Sequence, residues 1–247
     1  MNALLAVDAV SKRFGGVVAN NAVSLTVAPG EIVGLIGPNG SGKTTLFNSI
    51  AGSHPVDAGS IRFDGREITT LRVPDIARLG LVRTYQTTRV FKRMTLDANM
   101  LAAAPAASGG LSALWGRPAA EERERAGELL RFVGLEDKRR LFAGELSFGQ
   151  QKLLEFAMAL MRRPRMLLLD EPTAGINPTL INALIERLVR ANAELGVTLL
   201  VIEHNMAVVM ALARRIYCLA HGELLASGTP TEIQADPRVL DAYLGAR

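Results

Sequence analysis

Gly37-Pro38-Asn39-Gly40-Ser41-Gly42-Lys43-Thr44 lies between a short apolar run, Glu31 to Gly37, and a helical pattern, Thr44 to Ala51. The octet fits G-x-x-x-x-G-K-[ST], and the flanking strand and helix are the setting such a loop needs to bind phosphate. The chemistry explains the composition. Glycines let backbone N–H groups close around phosphate oxygens, and a helix N-terminus adds positive potential. Lys43 can reach the β- and γ-phosphates of a nucleotide, and the Thr44 hydroxyl can sit on Mg²⁺. Chance alone yields the pattern in roughly one chain of this size in a hundred. The competing reading is a plain glycine-rich turn. Asn39, Gly40, Ser41, Gly42, Lys43, Thr44 and Thr45 are the candidate nucleotide-binding residues here.

A second anchor follows 127 positions later, counted from Lys43 to Asp170: Met166-Leu167-Leu168-Leu169-Asp170-Glu171. An apolar strand delivers two carboxylates at its C-terminal end, where α/β sheets place their ligands. Asp170 can hold Mg²⁺ through water, and Glu171 can orient or deprotonate an attacking water. Adjacent strand residues point to opposite faces, which suits that division of labour. Alone, an acidic strand end is more often structural; the phosphate loop makes the functional reading the stronger one.

Short strand-like runs alternate with helical ones along the chain, which argues for a largely parallel α/β sheet. Ser60 to Asp64, Leu81 to Gln86, Met166 to Asp170 and Thr198 to Glu203 read as strands. Ile216 to Leu219 and Glu223 to Ala226 flank His221-Gly222 as a hairpin. From about Thr88 to Arg162 strand signals vanish, and helical stretches such as Glu121 to Val133 and Phe148 to Met161 take over. Ala98 to Gly116 carries no charge but is broken by Pro105 and Gly109-Gly110, so it reads as a helix and a loop rather than a membrane span. No signal peptide is evident, and any membrane role is expected to come through a partner.

The 247 residues, 49% of them hydrophobic, can bury a full core. Net charge is +4, and the basic runs Lys138-Arg139-Arg140 and Arg162-Arg163 read as solvated helix ends. A nucleic-acid role would need a larger basic face. The one cysteine, Cys218, forms no intramolecular disulfide and reads as a small core hydrophobe, with a reactive thiol as the alternative.

Leu146-Ser147-Phe148-Gly149-Gln150-Gln151 narrows the class. Ser147 is a good N-cap for the helix that follows, and Gly149 leaves the backbone open to close approach by an anion. The run resembles the L-S-x-G-Q signature of the ABC ATPase family. That resemblance implies a P-loop NTPase core of RecA-like type, an antiparallel β part and an inserted α-helical subdomain. The expected division is one nucleotide-binding domain over 1–247: core 1–87 and 163–229, helical subdomain 88–162, C-terminal helical tail 230–247. It also implies that Ser147, Gly149 and Gln150 bind the γ-phosphate held by a second ATPase subunit. Further roles come with it. Gln86 would sense Mg²⁺ and the attacking water, and His204 would contact the γ-phosphate. Ala174-Gly175-Ile176-Asn177 would touch the partner, with Asn177 where many relatives carry aspartate. Phe14 would stack on adenine, unless it is a core phenylalanine. His54 and His221 match no motif.

Val82-Arg83-Thr84-Tyr85-Gln86, Ser147-Phe148-Gly149-Gln150-Gln151, Ile202-Glu203-His204-Asn205-Met206 and the end Ala242-Tyr243-Leu244-Gly245 resemble the LivG-type ATPases of branched-chain amino-acid importers. This resemblance implies ATP and Mg²⁺, two transmembrane permease subunits, a homodimer or LivF-type heterodimer and, indirectly, a solute-binding protein. The expected location is the cytoplasmic face of the inner membrane, with Gln86 to Asn99 docking on the permease through Phe91 and Met94. The alternative is another ABC system, for urea or small organic acids or for lipopolysaccharide export. A soluble ABC protein on ribosomes or DNA would carry two such domains or a coiled-coil insertion, and a phosphate-transferring kinase would not need the signature or His204.

Overall fold

The protein is described by a computed structural model over residues 3–84, 90–105 and 120–244. Residue contacts divide the chain into two units: 1–83 with 165–172 and 188–247, and 84–164 with 173–187. The expected core and tail boundaries cut the sequence differently, since 173–187 groups with the second unit and the C-terminal stretch with the first.

The first unit holds two sheets. Leu5–Phe14 (β1) and Val17–Val27 (β2) form a long antiparallel pair turning at Gly15. The resemblance implied such a part, yet periodicity hides these strands. The β1–β2 register shifts between Val7 and Val10 and again near Lys12, and Ala9 and Ala22 adopt φ of 46° and 48°. Such bulges break the alternation of buried and exposed residues that marks a strand. Ala58–Phe63 (β4) pairs with β1 and with Arg66–Glu67 (β5), turning at Asp64-Gly65, to complete the order β2-β1-β4-β5.

The other sheet has six strands: Ile32–Ile36 (β3), Leu81–Arg83 (β6), Met166–Asp170 (β7), Thr198–Ile202 (β8), Arg215–Ala220 (β9) and Glu223–Gly228 (β10). Their order is β10-β9-β3-β8-β7-β6. All pairings are parallel except β9 with β10, the hairpin around His221-Gly222. Every residue of β3, β7 and β8 is buried. That is why they read as continuous apolar runs: a parallel strand covered on both faces has no solvent side. Lys43–Ile50 (α1) leaves β3 and packs Leu46, Phe47 and Ile50 into the core shared with β1, β2, β4 and β7. Val73–Arg78 (α2), Met206–Leu212 (α7), Pro230–Ala235 (α8) and Pro237–Leu244 (α9) complete this unit. Cys218 is fully buried, as a core residue should be, and burial pushes its thiol up to about 11.

The second unit contains Leu96–Ala103 (α3), Ala120–Phe132 (α4) and Phe148–Met161 (α5), with no strand among its described residues. The helix expected within Ala98 to Gly116 is α3; residues 106–119 lie outside the described ones. Arg125 donates to the Leu160 carbonyl at 2.7 Å, tying α4 to α5. Pro178–Leu195 (α6) starts in this unit, where Asn177 Oδ1 accepts from Leu180 N–H at 2.9 Å and caps it. Among the described residues no helix is long and apolar enough to cross a membrane.

Candidate functional site

The phosphate loop joins the centre of the six-stranded sheet to α1, the switch point where open α/β sheets bind ligands. Three of its glycines hold left-handed backbone: Gly37 at φ 144°, Gly40 at 77° and Gly42 at 98°. At Gly42 a Cβ would stand 2.2 Å from the Ala19 carbonyl, whereas at Gly40 nothing lies within 4 Å. The loop is therefore clamped at its base and open at its tip. Gly42 also brings no side chain to cap α1, so the first-turn N–H groups are left to solvent or an anion. Asn39, Gly40 and Thr44 are exposed, Thr45 is half-buried and Ser41 is buried.

Lys43 is buried, and its Nζ donates to the carbonyls of Gly37 (2.8 Å) and Pro38 (2.9 Å). Burial lowers its pKa, opposed by the nearby charges of Glu171 and Asp170. Both carboxylates, 127 and 128 positions further along the chain, thus lie close enough to act on the ammonium.

Asp170 ends β7 and is almost fully buried, against Arg83 on the neighbouring strand. Arg83 Nη2 donates to Asp170 Oδ2 at 2.7 Å, bonds Asn48 with its other amino group, and stands 5.9 Å over the Phe47 ring. Glu171 lies just beyond the strand with φ 48°, a left-handed backbone for a non-glycine. Such a conformation costs about 1–3 kcal/mol and persists where the surroundings over-determine it; here Glu171 N–H donates to the Ile202 carbonyl at 3.0 Å. The two carboxylates are set apart by this turn, not by the strand alternation expected from sequence. His204 follows β8, with a largely exposed side chain whose Nδ1 is 3.8 Å from Glu171 Oε2. Lys43, Asp170, Glu171 and His204 thus come together within the first unit. Gln86 lies outside the described residues.

Phe14 ends β1 and is 46% exposed, which rules out the core alternative. Lys12 Nζ stands 5.4 Å from the ring centroid, held by Asp57 at 2.9 Å, and His54 meets the ring edge-on at 5.6 Å. His54, matched to no motif, therefore flanks the candidate adenine platform.

In the second unit Ser147 caps α5 through a reciprocal box. Its Oγ accepts from Gln150 N–H at 3.4 Å, and Gln150 Oε1 accepts from Ser147 N–H at 3.1 Å. Local capping thus accounts for Gln150 as well as Ser147. Gly149 is buried, and a Cβ there would stand 2.4 Å from Leu180 Cδ1. The space expected for an anion is on this side filled by α6. Half-exposed Phe148 lies over Gly175, whose Cβ would be 3.0 Å from the ring.

Three residues were passed over by the sequence reading. Asn20, fully buried in β2, donates from Nδ2 to the Gly42 carbonyl at 3.2 Å. Nothing local in the sequence signals it. Arg83 does carry a local signal, a charge inside the short strand Leu81-Val82-Arg83. Tyr243, near the chain end, brings its hydroxyl to the loop and accepts from Gly37 N–H at 2.9 Å.

Comparison with known proteins extends this geometry. Residues 20–174 match the family described as "ABC transporter", and residues 223–247 match "Branched-chain amino acid ATP-binding cassette transporter". The chain is 42% identical over 249 residues to the high-affinity branched-chain amino acid transport ATP-binding protein BraF of Pseudomonas aeruginosa, covering 98% of both. It is similar to the solved ADP conformation of an ATP-binding cassette of an ABC transporter, with TM-score 0.88, 34% identity and coverage of 99% of this chain and 100% of that one. A dimeric post-hydrolysis cassette bound to ADP and Pi matches with TM-score 0.76 and 25% identity, covering 92% of this chain and 98% of that one. With a phosphate loop, a carboxylate pair and a signature all lying in a chain that these relatives span almost end to end, the protein belongs to the ABC transporter family, as one of its ATP-hydrolysing subunits.

Proposed function

We propose that the chain binds Mg–ATP at its own phosphate loop, pairs with a second ATPase subunit across that nucleotide, and powers a membrane importer of branched-chain amino acids. The observation that carries the catalytic part is geometric: Asp170 and Glu171 follow one another at the end of β7, His204 Nδ1 stands 3.8 Å from Glu171 Oε2, and buried Lys43 is held on the carbonyls of its own loop. Lys43 and the loop amides hold the phosphates, and Phe14 stacks on adenine. Glu171 orients the lytic water and takes its proton, while His204, beside Glu171, meets the γ-phosphate. Thr44, Asp170 and Gln86 would hold Mg²⁺, which when bound offsets phosphate charge; hydroxyl and carboxylate oxygens are the donors a hard cation takes. Ser147, Gly149 and Gln150 would face the nucleotide of the other subunit; that a similar cassette is dimeric supports the pairing. The permeases, docked at Phe91 and Met94, place the complex at the cytoplasmic face of the inner membrane; Phe91 is 53% exposed. The solute rests on the name of the BraF relative and the C-terminal family match.

Glu171→Gln tests the catalytic reading. It keeps shape while removing the base and one charge. Hydrolysis should fall about 10²-fold or more, Mg–ATP binding should persist, and the ATP-bound pair should accumulate on size-exclusion chromatography. Lys43→Ala should lose binding and stay unpaired. A Glu171→Gln protein that turns over at the wild-type rate removes Glu171 from this role.

A further inference from the structure

The last helix returns to the phosphate loop. Gly37 N–H donates to Tyr243 Oη at 2.9 Å, across 206 positions of sequence. The carbonyl of the same glycine accepts from Lys43 Nζ at 2.8 Å. These two bonds grip the two peptide groups flanking one residue, and so fix both of its soft dihedrals. The residue needs fixing. Gly37 stands at φ 144°, open only to glycine, at the joint where β3 becomes the loop. A Cβ there would stand 2.1 Å from the Leu219 carbonyl, so no larger residue could supply the stiffness instead.

Tyr243 is well placed to be a fixed point. Its ring packs against the apolar cluster of Ile36, Cys218, Ile233 and Val239. Burial holds its hydroxyl above the usual phenol range, so it stays protonated while accepting from Gly37. Its neighbours Asp241 and Ala242 line a cavity of about 210 Å³ together with Pro38, Asn39, Gly40 and Ser41. α9 therefore meets the loop beyond the one hydrogen bond.

We propose that Tyr243 is a positioning residue for the phosphate loop: its hydroxyl sets the Gly37 peptide and, through Gly37, the direction of the Lys43 ammonium, so that the C-terminal helix tunes nucleotide affinity. This rests on reading the loop as a nucleotide site.

Tyr243→Phe in the full chain removes the hydroxyl alone. Mg–ADP affinity, measured by calorimetry, should fall about five- to tenfold, the scale of leaving one buried amide unpaired. Ile233→Val thins the same cluster without touching the hydroxyl; it should lower Tm and leave affinity unchanged. Coupling is reciprocal, so Mg–ADP should slow hydrogen exchange of amides 238–244 in the wild-type chain, a measurement that stands even where a variant folds poorly. A Tyr243→Phe protein with lowered Tm but wild-type affinity, or a wild-type tail whose exchange ignores Mg–ADP, overturns the proposal and leaves the nucleotide site intact. A wild-type chain that binds no Mg–ADP overturns instead the reading of the loop.

Discussion

Gly42 and Gly149 each stand at the start of a helix in a motif read as binding phosphate, and each lacks a side chain for a different reason. Gly42 adopts φ 98° with the Ala19 carbonyl where a Cβ would go, so both its conformation and its space are reserved for glycine. Gly149 shows no left-handed φ and is instead a packing glycine, closed against the Leu180 side chain. The phosphate loop is a cradle shaped by backbone dihedrals and held by Asn20, Lys43 and Tyr243. The signature is a capped helix end whose polar groups, Ser147 and Gln150, already satisfy each other. The first leaves the opening amides of α1 without a side-chain cap; the second already uses the Ser147 hydroxyl as the cap of α5.

The largest expected effect breaks the cradle. Gly42→Ala meets backbone on a strand that cannot give way, and should cost about 3 kcal/mol or more. That is a hundredfold or more in nucleotide Kd at about 1.4 kcal/mol per tenfold. Gly40→Ala meets only the left-handed penalty, about 1 kcal/mol, and should weaken binding about fivefold. Titration with a fluorescent ADP analogue separates them; equal losses would mean that φ alone, not the Ala19 contact, governs the loop.

Phe14→Ala comes next. Stacking on one ring is worth about 1–3 kcal/mol, so affinity should drop several-fold or more, with Phe14→Tyr mild. Because the ring is half-exposed, Tm should hold.

Gly149→Ala should show the opposite profile. Overpacking costs about 1–3 kcal/mol, lowered here because the obstacle is the end of a flexible leucine. Tm should fall by roughly 2–6 °C, while nucleotide affinity of the isolated chain stays the same. A Gly149→Ala chain with weakened affinity and unchanged Tm would erase the contrast between the two glycines.

Ser147→Ala is the mildest, losing one N-cap at about 1 kcal/mol of stability. Its hydrolysis under pairing conditions should drop further than its Tm implies. A loss matching the cap alone would make Ser147 a structural serine.

How far the sequence reached depends on whether a signal was local. The setting of residues 37–44 and 166–171 was legible because each motif has fixed side-chain types at short spacings, and the structure does place the first between β3 and α1 and the second at the end of β7. β3, β7 and β8 were legible because two-sided burial demands unbroken apolar runs. Helix α5, its Ser147 cap and the hairpin at His221 were written in capping and turn residues. What escaped was decided between distant segments. The bulges of β1 and β2 scramble the alternation that would have announced them, and the end of β7 turns left-handed at Glu171 because a neighbouring strand accepts its N–H. Asn20, Arg83 and Tyr243 reach the loop or the carboxylate across 22, 87 and 206 positions. A buried amide, carboxylate or carbonyl must find a partner, but no rule of sequence says from which element it will come; only packing α1 into one apolar cluster and α9 into another against the sheets made those choices.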